Sequence, residues 1–296
     1  MRLAHLFVPI LLVTSVLTVT GSHAAEDMLA LDTPFIGAKV EPLADAVFEA
    51  KERTKESLPK FGLVVRCIDA GGPAAVGGLK KLDILNSINS KPVKSIDELR
   101  AVMDKLPKGT PWTIVYHRLS SPKGDVATWK RETATLTATT ARQYLAESMK
   151  STHDEASGAT FIEYSHSPEL GEGTTVVPYI VKAKDGTVAM RMRIQYSARD
   201  WMFIQKFVIK VDRDDSDYFD ANDEHKVERG HAAGMIWEWM DYPVTSGPTD
   251  LLRRIVKSKK AVLRYEGKQT KQERELDDDD RRRIMFVLMA RDLIKA

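Results

Sequence analysis

The run Gly71-Gly72-Pro73-Ala74-Ala75-Val76-Gly77-Gly78 constrains the first half of the chain most tightly. Two glycines and a proline make a turn, the alanines allow one helical turn, and the glycine pair ends it. On one side lies Gly62-Leu63-Val64-Val65-Arg66-Cys67-Ile68, a β-branched strand. On the other lies Ile84 to Ser90, a strand running into a tight turn where Asn89 tolerates positive φ. Phe35 to Val40 reads as a strand entered through Gly37, and Ala44 to Lys55 has the apolar spacing of an amphipathic helix. Ser95 with Glu98 three residues on forms a capping box for a helix over Ile96 to Leu106. Trp112 to His117 and Thr128 to Leu136 alternate as two further strands.

Four segments in this order resemble a PDZ domain of the bacterial type, as in the high-temperature-requirement periplasmic proteases. They are Phe35-Ile36-Gly37-Ala38, Gly62 to Val65, Gly71 to Leu85, and Ile88-Asn89-Ser90-Lys91-Pro92-Val93 followed by the capped helix and the strand ending at Arg118. The pattern departs from the family at two places: Leu82 stands before Asp83 where glycine is usual, and Gly72 stands where serine is usual. If that backbone needs φ > 0, Leu82 is a poor fit and the turn is expected to rearrange. The resemblance implies a partly open β-barrel capped by helices, with a groove between one strand edge and one helix. An extended peptide adds to such an edge as an extra strand, and loop N–H groups hold a C-terminal carboxylate. By resemblance the loop is Phe35, Ile36, Gly37 and Ala38, and Lys39 and Val40 continue the receiving strand. Leu99, Val102 and Met103 of the capped helix stand as the opposite wall. Helix spacing alone does not separate core from groove for Leu99 and Met103. Their apolar character points to a protein or peptide partner with an apolar C-terminus.

The first 24 residues read as a secretory signal peptide, with Arg2 ahead of the apolar stretch Leu6 to Val13 and small Ser22 and Ala24 before Ala25. The alternative is an uncleaved anchor, since Leu3 to Val19 is nearly long enough to span a bilayer. With cleavage, the protein is secreted or periplasmic and keeps no stable membrane span. Lys and Arg number 44 against 42 Asp and Glu, a net charge of +2, so no global field draws the chain to nucleic acid. Cys67 is the sole cysteine, so no internal disulfide forms. A trypsin-like protease would need a Ser in a Gly-Asn-Ser-Gly-Gly setting, and neither that nor a G-x-S-x-G elbow occurs. His117, His153, His166, His225 and His231 lack metal-ligand spacing. No catalytic residue, metal or cofactor is therefore assigned.

The organisation expected is α+β throughout: a PDZ-like domain over 33–140, a connector over 141–173 and a β-rich α+β domain over 174–296. In the last, Thr175 to Lys182 and Thr187 to Tyr196 flank the hairpin signal Asp185-Gly186. Trp201 to Val211 and Met235 to Tyr242 read as strands, and Thr249 caps a helix through Ser258. Ala261 to Tyr265 returns as a strand, and a helix runs from Asp278 to Ile294 behind helix-starting acids Asp277 to Asp280. Asp212, Asp214, Asp215, Asp217, Asp220 and Asp223 lack EF-hand spacing and read as a solvated acidic loop rather than a calcium site. Trp201, Trp237 and Trp239 are strand aromatics, a core rather than a carbohydrate or peptide platform. Peptide capture leads; an enzyme with its site in the C-terminal domain, or a structural envelope protein with an occluded groove, are the alternatives.

Overall fold

A computed structural model describes residues 31–45, 58–106, 109–120, 128–137, 139–212, 215–222 and 225–295. The leader, most of the helix expected over Ala44 to Lys55, and Asp214 and Asp223 lie outside the described residues. The fold is α+β.

The first unit comprises β1 (Pro34–Phe35), β2 (Ala38–Pro42), β3 (Leu63–Ile68), α1 (Pro73–Val76), β4 (Ile84–Ile88), β5 (Lys91–Pro92), α2 (Ile96–Met103), β6 (Pro111–Ser120) and β7 (Thr128–Thr137). Its sheet runs β2-β3-β4-β6-β7, with β5 paired to β4. Trp112, Leu63, Leu85, Ile88, Ile114 and Leu136 are fully buried in its core. Ser95 Oγ accepts from the Glu98 N–H at 3.1 Å. The Glu98 carboxylate reaches back to the Lys94 N–H at 2.7 Å, one residue before the cap itself.

The turn before Asp83 does not rearrange. Leu82 adopts φ +73° and its side chain stands 43% exposed. The Asp83 carboxylate, buried beneath it, accepts from the Lys80 N–H at 2.7 Å and takes Arg118 in a two-pronged pair at 2.9 and 2.7 Å. That pairing holds the turn in a shape that a side chain at Leu82 opposes. A left-handed L-residue costs about 1–2 kcal/mol, and glycine's extra chain entropy offsets roughly 0.5–1 of it. Leu82→Gly is expected to raise stability by about 0.5–1 kcal/mol, read as a higher urea midpoint at unchanged slope.

The second unit begins earlier than composition suggests. Residues 141–173 are not a connector. After β8 (Thr139–Thr140), paired to β1, come α3 (Ala141–Ser148), β9 (Met149–Asp154) and β10 (Ala159–Tyr164). They join β11 (Thr175–Lys182), β12 (Val188–Ala198), β15 (Glu228–Ala232) and β16 (Met235–Pro243) in a six-stranded sheet ordered β15-β16-β12-β11-β10-β9. The polar residues of β9 mislead because β9 is an edge strand and mostly solvent-exposed. A four-stranded sheet ordered β14-β13-β17-β18 contains β13 (Ile204–Val211), β14 (Asp215–Asp220), β17 (Ala261–Gly267) and β18 (Lys271–Glu275). The acidic stretch is thus partly an edge strand, not a loop. Asp217 meets Arg254 at 2.6 Å and Asp220 meets Lys206 at 3.3 Å, while Asp212 accepts from the Lys259 and Lys260 N–H groups.

Two helices complete this unit, α4 (Ser246–Lys257) and α5 (Asp278–Lys295). Helix α4 starts one turn before Thr249, which is instead buried and accepts from Arg291 at 3.3 Å. Every residue from Ile284 to Ala290 on α5 is buried, and a helix apolar all round must be a core element. Both sheets, α4 and α5 share one core. Strand β13 begins at Ile204 rather than Trp201 because the N–H groups of Met202, Phe203 and Ile204 all turn to the buried Glu238 carboxylate at 2.7–2.9 Å. Trp201 and Phe203 stack at 6.2 Å, and Trp237 and Trp239 are both half-buried.

Candidate peptide-binding groove

Strand β2 is the last strand of its sheet: among the described residues it pairs with β3 alone. Helix α2 packs beside it. Ala38 and Val40 of β2 and Val102 of α2 are part-buried against the same core. Leu99 and Met103 are 5% and 8% exposed, so these two side chains are chiefly core. A bulge between Lys39 and Val40 re-aims the strand at this point.

The loop entering β2 is shaped by Gly37, at φ +70°. A Cβ there would lie 3.0 Å from the Gly72 Cα and 3.1 Å from the Pro73 ring, so the two glycines let the backbones touch. The Ile36 carbonyl accepts from the Ala74 N–H at 2.8 Å and the Gly37 carbonyl from the Asp69 N–H at 2.9 Å. The N–H groups of Ile36 and Gly37 donate to no acceptor among the described residues. A loop whose carbonyls are spent and whose N–H groups are spare is an acceptor-seeking surface, suited to a carboxylate.

The nine residues singled out from sequence therefore part company. Ile36, Gly37, Ala38 and Val40 lie at the loop and edge, with Ile36 buried in the first core. Phe35 points the other way, into the C-terminal core, with its ring 5.0 Å from Tyr144 and 6.2 Å from Phe286. Lys39 projects from the opposite face of β2 to Asp278 on α5, at 2.7 Å. Burial works most strongly against ionisation of Asp278, but the Lys39 bond and the charges of Lys39, Arg281 and Arg66 together hold that carboxyl below its usual range. Cys67, opposite Lys39, donates its thiol to Asp279 at 2.8 Å; burial, then that carboxylate, push its pKa far up, so it stays a thiol. The residues that sequence reading missed are Asp69, Tyr144 and Arg282, which back the loop. A cleft of about 520 Å³ opens elsewhere on the first unit, lined by Phe61, Asn86, His117 and Arg131 among others, and none of the groove residues line it.

The PDZ domain family model matches residues 64–118, from β3 through α2 to β6. The first unit carries a PDZ domain. A 76-residue stretch, 26% of the chain, is 32% identical to a DegP-like periplasmic serine endoprotease of Hahella chejuensis, of which it covers 16%. A 46-residue stretch, 16% of the chain, is 48% identical to the periplasmic serine endoprotease DegP of Salmonella typhimurium, of which it covers 10%. The chain thus spans less than a fifth of these curated relatives' lengths. Among solved structures, the HtrA-type protease AlgW with decapeptide aligns with 36% of this chain and 29% of its own, at 20% identity and TM-score 0.29. The PDZ domain of the carboxy-terminal protease of Vibrio cholerae in complex with peptide aligns over 36% and 96% respectively, at 19% identity and TM-score 0.21. The family match begins at Val64 and does not reach the loop at Gly37 or β2.

Proposed function

We propose that this chain is an exported peptide-binding protein whose PDZ groove captures the C-terminus of a partner by strand addition. The single observation that carries the reading is the β2 edge beside α2, which among the described residues is unpaired and is entered through a loop with two spare N–H groups. Main-chain hydrogen bonds to β2 supply affinity, and the loop supplies the preference for a free carboxylate. The part-buried apolar side chains Ala38, Val40 and Val102, beside core residues Leu99 and Met103, favour an apolar terminal residue. Export rests on the leader and agrees with the periplasmic relatives. Among the described residues no helix is long and apolar enough to cross a membrane.

The test is a C-terminal peptide library screened against the full chain, with amidated peptides as controls. Binders are expected to end in an apolar residue and to lose affinity on amidation. Gly37→Asp places a Cβ against Gly72 and Pro73 and a negative charge where the ligand carboxylate sits. It is expected to weaken binding by about tenfold or more, a loss of roughly 1.4 kcal/mol, by fluorescence anisotropy. Binding that persists in Gly37→Asp sinks the loop mechanism.

A further inference from the structure

We propose that Arg282 of α5 is a positioning residue for peptide capture, so that the peptide site is shared between the PDZ domain and the C-terminal unit. The inference rests on the capture reading above.

Asp69 is the residue that ties the loop together. Its N–H donates to the Gly37 carbonyl and its carbonyl accepts from the Gly72 N–H, both at 2.9 Å. These two glycines are the ones whose backbones touch. The Asp69 side chain is 1% exposed and is held by Arg282 in a two-pronged pair, Nε to Oδ1 at 2.7 Å with Nη2 on Oδ2. The guanidinium is in turn fixed in orientation, its Cζ 5.8 Å from the centre of the Phe35 ring and 5.1 Å from that of Phe286. One residue on from Asp69, in the turn between β3 and α1, the Ala70 carbonyl accepts from the Tyr144 hydroxyl of α3 at 3.0 Å. Both braces thus come from outside the PDZ domain, one of them from the helix at the centre of the C-terminal core. A paired guanidinium fork defines position and plane together, which a point charge does not.

Two consequences follow. The spare N–H groups of Ile36 and Gly37 are aimed only while Asp69 is held. By linkage, a ligand that favours the held loop must also favour the held helix.

The experiment uses the full chain and a labelled decapeptide ending in three valines, with a free carboxylate or amidated. Arg282→Lys keeps the charge on Asp69 but loses the fork, and Tyr144→Phe removes only the hydroxyl. Arg282→Lys is expected to weaken the carboxylate peptide about tenfold and Tyr144→Phe about threefold, each narrowing the preference for carboxylate over amide. In the wild type, the peptide is expected to slow amide exchange over residues 282–290, and in Arg282→Lys this protection is lost. Folded variants that bind and discriminate like the wild type overturn the inference, as does α5 exchange indifferent to peptide. A wild type that binds neither peptide overturns the capture reading and takes this inference with it.

Discussion

Phe286→Ala is expected to cost about 3–5 kcal/mol of stability, the range for emptying a fully buried aromatic site. Phe286 is 0% exposed on the central helix α5 and cannot be replaced by a neighbour's collapse without moving both units. Its ring meets Phe35 edge-on at 6.2 Å, Tyr144 at 5.2 Å and Tyr164 at 5.3 Å. Phe35 belongs to the segment that leads directly into the loop at Gly37, so the vacancy opens where the PDZ domain is anchored. Urea unfolding followed by tryptophan fluorescence measures the loss as a lower midpoint. Phe286→Leu keeps most of the volume and is expected to cost about 1–1.5 kcal/mol. Equal losses for the two variants contradict the packing account.

Glu238→Ala is expected to be comparably damaging, about 3–5 kcal/mol, for a different reason. The Glu238 side chain is 0% exposed, yet its carboxylate is fully employed. It accepts from three successive backbone N–H groups and from Arg229 Nε at 3.1 Å. Removing it strands those donors, and the penalty for buried donors without acceptors exceeds the value of the bonds themselves. The same contacts hold Phe203 at φ +53° with its ring 50% exposed, an arrangement that the carboxylate imposes. Amide exchange of Met202, Phe203 and Ile204 is expected to accelerate in the variant well before global unfolding. Slow exchange there in Glu238→Ala, with stability within 1 kcal/mol of the wild type, contradicts the role given to this carboxylate.

Glu238 also shows where sequence reading stops. In Trp237-Glu238-Trp239 the alternation marks a strand, and the aromatic residues draw the eye. Nothing local says that the charged residue faces the core and organises a loop 34–36 positions away. The only hint is the conflict itself, a carboxylate at an inward position of an apolar strand, which demands a buried partner. Strand β9 failed for the opposite reason: as an edge strand in water it has no apolar period to read. Gly37, Ala38 and Val40 lie at the loop and on the edge strand β2, whereas Phe35 and Lys39 turn their side chains to the C-terminal unit.

The ordered turns, the Ser95 cap and the alternation of β6 and β7 are consequences of interactions within a few residues, and the sequence alone determined them. So too did Asp277 to Asp280 mark the start of the last helix, because like acids there meet the positive end of the helix dipole. The tertiary structure alone decided that β2 ends its sheet among the described residues, that α5 is buried on all sides from Ile284 to Ala290, and that the turn at Asp69 leans on Arg282. The Asp69–Arg282 pair joins residues 213 positions apart. Each of the two looks like an ordinary surface charge until folding removes water from both. Periodicity reports which face of an element is apolar, but the partner that covers that face is a property of the packed chain.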